Sequence, residues 1–143
     1  MNDKWGRRLF KAGAVALLII GAVHSISFFQ KLLPANDTEK QLLDLMSNYK
    51  FNLAGSLRSM DNLLTGFSIC FMLAALTFGA FDFLLSRERA GLLKQAALIN
   101  ILWLASMTAV SLRYFFVIPT SFLVATLLIF VAAWLKLPAG GTT

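Results

Sequence analysis

The apolar residues of this chain fall into four runs, each about long enough to cross a bilayer, and nearly all the ionisable side chains lie at the edges of those runs. A spanning helix needs roughly 20 mostly apolar residues. Lys11–Phe29, Leu63–Leu85, Gln95–Leu112 and Pro119–Leu135 meet that requirement. The expected fold is an all-α membrane protein, an antiparallel four-helix transmembrane bundle.

Four such spans fill more than half of 143 residues, which leaves room for a single four-span membrane domain over residues 1–143. A mean hydropathy of +0.73 with 58% hydrophobic residues excludes an ordinary soluble domain. The net charge of +6 would suggest nucleic acid in a soluble chain. Here the basic residues flank apolar segments, so topology explains them and no nucleic-acid partner is expected. The single cysteine, Cys70, falls in the middle of the second run. That excludes an intrachain disulfide, a CxxC pair and a cysteine-rich metal site, and Cys70 is read as a small packed hydrophobe.

The amino terminus carries Lys4, Arg7 and Arg8 before its apolar run, which resembles the start of a signal peptide. The run continues to Phe29, and His24-Ser25 interrupts any small-x-small cleavage pattern, so an uncleaved first span is expected. Short cytoplasmic loops carry an excess of Lys and Arg. Lys4, Arg7, Arg8 and Lys11 precede span one, Arg87, Arg89 and Lys94 separate spans two and three, and Lys136 follows span four. These segments share one side, so both termini are expected in the cytoplasm.

The segment after span one is too long for a hairpin turn. Asn36-Asp37-Thr38-Glu39 has the form of a capping box, and Leu42, Leu45, Met46 and Tyr49 recur at helical spacing. A short external amphipathic helix from about Asp37 to Tyr49 is expected, as a surface anchor or as a lid over the bundle mouth. Spans three and four are joined by Arg113-Tyr114-Phe115-Phe116-Val117-Ile118-Pro119, a tight interfacial hairpin with Pro119 in the first turn of the last helix.

Polar groups within or at the ends of spans are where function is sought, because lipid penalises them. His24 lies thirteen residues beyond Lys11, about 20 Å along a helix, in the outer half of span one. Ser27 follows one turn further out. Asp61 and Asn62 open span two from the same side, Thr65 continues inward, and Arg113 ends span three. His24, Ser27, Asp61, Asn62, Thr65 and Arg113 are therefore the candidate ligand-binding residues of an outer-leaflet polar pocket. For Asp61 and Arg113 the alternatives are a buried pair and separate snorkelling to the interface. His24 offers a proton carrier, a ligand contact, or a hydrogen bond to a neighbouring helix. One His without a cysteine pair supports neither a zinc site nor a bis-His haem. Small residues at Gly13 and Gly21, and the stripe Asp61, Thr65, Ser68, Ala75, Gly79, Asp82, suggest close helix packing. Asp82, neutralised by Arg87, Arg89 or Lys11, and Asn100 are read as polar glue between helices.

Gly21-Ala22-Val23-His24 in span one and Leu112-Arg113-Tyr114-Phe115-Phe116 followed by Pro119 resemble motifs of small bacterial four-helix membrane proteins of DoxX-like size and shape. The resemblance implies a bacterial inner-membrane protein without an assigned reaction, and DoxX itself implies a link to quinone. No phosphate-binding loop, hydrolase constellation or carboxylate relay occurs, so hydrolase, kinase and nucleotide-driven pump readings fall away. No cofactor is expected beyond the quinone the resemblance raises. The favoured function is a binding or accessory protein whose partners are the lipid bilayer and a lipid, quinone or other small amphiphile. A homo-oligomer or a partner membrane subunit is also weighed. The alternatives are an oligomeric transporter or channel with proton coupling through His24, and a quinone-linked membrane oxidoreductase.

Overall fold

A computed structural model describes residues 3–29 and 32–138, with the side chain of Ser27 outside the described set. Its elements are α1 (Asp3–Ile26), a 3-10 turn (Ser27–Phe29), α2 (Asp37–Asn48), β1 (Phe51–Leu53), β2 (Ser56–Arg58), α3 (Met60–Leu85), α4 (Ala90–Tyr114) and α5 (Val117–Lys136). Helices α1, α3, α4 and α5 are long and apolar enough to cross a membrane, which makes this a multi-pass membrane protein with one short helix between its first two spans. Helices α1, α3 and α4 begin before their apolar runs, because flanking charged residues such as Arg7, Asp61 and Lys94 remain helical while their heads reach water. At the start of α1, Arg7 Nε donates to Asp3 Oδ2 at 3.0 Å, an i,i+4 pair with its acid at the positive end of the helix dipole.

The chain forms two compact units, one of Met1–Ile20 with Ala75–Thr143 and one of Gly21–Ala74. The first unit contains parts of all four long helices, and their inward residues alternate at spacings of three and four. Phe10, Ala14 and Leu17 face inward from α1, Ala75, Gly79 and Asp82 from α3, and Leu93, Ala97, Asn100 and Leu104 from α4. From α5 come Leu123, Thr126, Phe130 and Ala133. This spacing keeps one seam of each helix turned to its neighbours.

Small residues set how closely these helices approach. A Cβ on Gly79 would stand 2.9 Å from the Leu18 backbone nitrogen and 3.0 Å from the Ala14 carbonyl oxygen, so α3 meets the backbone of α1. A Cβ on Gly13 would stand 2.8 Å from the Phe130 ring, which also packs edge-on against Phe10 with centroids 5.6 Å apart. Close backbone approach of this kind supports helix association in lipid. At the α4–α5 hairpin the hydroxyls of Ser111 and Thr120 are 2.7 Å apart, and Lys94 Nζ donates to the Leu137 carbonyl beyond the end of α5 at 2.9 Å.

The second unit holds the end of α1, α2, the strand pair and the first half of α3. Asn36 Oδ1 accepts from Glu39 N–H at 2.9 Å, which starts α2 as the capping pattern predicts. Glu39 Oε2 in turn accepts from Ala35 N–H, one residue before the cap. Strands β1 and β2 pair antiparallel through a two-residue turn, Ala54-Gly55, both with positive φ. Nothing in the sequence reading anticipates this hairpin. It delivers Ser59, which is buried, to the start of α3, where Ser59 Oγ accepts from Asn62 N–H at 3.2 Å and Asn62 Oδ1 accepts from Ser59 N–H at 3.3 Å. These two residues form a reciprocal cap.

Candidate functional site

The six residues singled out from the sequence have different surroundings. His24 is partly buried in the second unit, edge-on to Phe71 at 5.1 Å and to Phe28 at 5.9 Å, with its ring hydrogen-bonded to the Ser68 backbone. It joins the end of α1 to α3. Asp61, Asn62 and Thr65 are exposed on the first turns of α3, and the Oδ1 of Asn62 serves the helix cap. Ser27 lies outside the described side chains. Arg113 belongs to the first unit, is exposed, and stacks its guanidinium on the neighbouring Tyr114 ring at 5.7 Å. Similar depth in three helices does not determine which way side chains turn.

Within the second unit a groove of about 490 Å³ runs along α3, lined by Arg58, Asn62, Leu63, Gly66, Phe67 and Cys70. Asn62, Gly66 and Cys70 recur every four residues and Leu63 and Phe67 stand beside them, so one stripe of the helix forms the groove. The stripe is open at Gly66, where an added Cβ would meet nothing within 4 Å. Arg58, at the end of β2, stands at the polar end, and its Nη1 donates to the Leu57 carbonyl at 2.9 Å. The other guanidinium N–H groups extend the donor set available for an anion. Phe67 is 72% exposed and gives the other end an apolar wall. Cys70 is exposed on this stripe and not packed against another helix.

Arg58, Gly66, Phe67 and Cys70 were missed as site residues from the sequence. The available signal was the four-residue repeat of small or polar positions from Asn62. The hairpin that brings Arg58 to that stripe has no comparable signal.

A further polar contact lies in the first unit. Asp82 and Asn100 are each 2% exposed and in hydrogen-bonding contact. The cations expected to neutralise Asp82 are engaged elsewhere or exposed. Lys11 Nζ lies 4.9 Å from the Phe83 ring centroid, and Arg87 and Arg89 are exposed. Among the described residues the one ion pair joins Arg7 to Asp3, and no group of three or more His, Cys, Asp or Glu is placed to hold a metal ion.

No protein-family model, curated protein or solved structure matches the chain. The DoxX-like resemblance therefore rests on its short motifs alone.

Proposed function

We propose that this chain is a binding or accessory membrane protein whose ligand is a small amphiphile with an anionic head group, such as an acidic lipid. The carrying observation is the polarity gradient along one stripe of α3. Arg58 and Asn62 stand at one end of the groove and Gly66, Phe67 and Cys70 line the rest. A guanidinium recognises phosphate or carboxylate by paired hydrogen bonds, while the open space at Gly66 and the Phe67 ring suit an alkyl chain or flat ring. Of the original six candidates, Asn62 lines this groove, and Asp61 and Thr65 share the adjoining face one position round the helix. Lys and Arg at the helix edges support cytoplasmic termini, and on that reading the groove belongs to the outer leaflet. His24, bonded to the Ser68 backbone and packed on two aromatic rings, acts as an interhelical link.

The test is native mass spectrometry of full-length protein released from nanodiscs holding equal phosphatidylglycerol and phosphatidylcholine. The wild type should retain phosphatidylglycerol preferentially, and Arg58→Gln should lower that preference about tenfold, the scale of one charge-assisted hydrogen bond. Gly66→Leu should displace both lipids. Equal retention of the two lipids by the wild type, or unchanged retention in both variants, would overturn the proposal.

A further inference from the structure

Asp82 on α3 and Asn100 on α4 present an unusual pair of buried, unsatisfied oxygens. Asn100 Nδ2 donates to the Ala96 carbonyl at 2.9 Å, and the carboxamide also contacts the Asp82 carboxyl. Asp82 Oδ2 and Asn100 Oδ1 each remain solvent-inaccessible with no hydrogen-bond donor. A carboxylate in this position is heavily disfavoured, because it is removed from water without a counter-charge.

The charged groups of the surrounding elements do not supply one. On α1, Arg7 is held by Asp3 and the Glu88 carbonyl, and Lys11 lies over Phe83. Between α3 and α4, Arg87, Glu88 and Arg89 are exposed. On α4, Lys94 donates to the Leu137 carbonyl and lies over Trp134, and on α5, Lys136 is exposed.

A single proton satisfies both oxygens. Bound on Oδ2, it removes the buried charge and turns Asp82 into a donor, the group that the neighbouring Asn100 Oδ1 lacks. A hard metal cation is a poorer fit, since six or more oxygens are its usual complement and these two side chains offer two orphans. We propose that Asp82 and Asn100 form a proton-binding site inside the membrane bundle. The proton comes from water, the carboxylate becomes a neutral acid, and no electron moves. The site lies in a different unit from the amphiphile groove and stands independently of it.

Infrared spectroscopy of full-length protein in nanodiscs at neutral pH, with and without 13C-labelled aspartate, reads this site directly. The expected result is an isotope-sensitive carbonyl stretch of a protonated carboxylic acid that is lost in Asp82→Asn. Its absence from the wild type, its persistence in Asp82→Asn, or its loss on adding sodium at constant pH would overturn the proposal. The wild-type spectrum decides even if the variant fails to fold. Thermal unfolding gives a second readout. The folded wild type holds a proton that the unfolded chain releases, so its midpoint should fall as pH rises from the ordinary carboxylate range toward neutral, and Asp82→Asn should flatten that slope. Equal slopes in the two proteins would also contradict the site.

Discussion

Gly79 and Gly66 lie on the same helix, and they differ in what a side chain there would meet. At Gly79 the obstacle is the backbone of Leu18 and Ala14, which cannot rotate away. Gly79→Ala must push α1 and α3 apart and should cost about 1–3 kcal/mol, measured by thermal or detergent unfolding. Gly13→Ala meets the Phe130 ring instead. Its loss should be partly recovered by Phe130→Leu in a double-mutant cycle, a rescue with no counterpart at Gly79. Gly66→Ala faces open space and should leave stability unchanged or slightly raised. The small-residue stripe from Asp61 to Asp82 was legible as a pattern, but only Ala75, Gly79 and Asp82 of α3 are buried. Composition reads alike at both ends of such a stripe, and only the partner helix decides which end is covered.

The elements differ in how much local chemistry sets them. The start of α2 was readable because Asn36 and Glu39 act within one turn of each other. The start of α3 uses the same device in Ser59 and Asn62, yet Asn62 stood out first as a site candidate, since a cap and a ligand contact draw on the same residue types. Ser59→Ala should cost about 0.5–2 kcal/mol and fray the first turn of α3, seen as faster amide exchange at Asp61 to Leu64. The β1–β2 hairpin was not legible. Its strands are three residues each, its turn is Ala-Gly rather than Asn-Gly, and five of its six strand residues are exposed, so no alternation marks a buried face. Ala54 has a φ of 48°, where a non-glycine side chain is strained. Ala54→Asn should therefore stabilise the hairpin by up to about 1 kcal/mol, detectable as slower amide exchange in β1 and β2.

For the whole molecule, span number and order were readable because lipid imposes length and apolarity on every crossing segment. The candidate site was only partly readable. Depth along a helix can be counted from its charged ends, but rotation about the axis depends on packing, so His24 and Asn62 emerged with structural duties and Arg58 was passed over. Four crossings of the membrane underlie the whole arrangement. In a Cys70→Ser background, single cysteines at Lys4, Asp44, Glu88 and Lys136 can be labelled with a membrane-impermeant thiol reagent before and after permeabilisation. Four crossings predict that the Asp44 position reacts from one side of the membrane and the other three from the opposite side. Reaction of the Asp44 and Glu88 positions from the same side would contradict it.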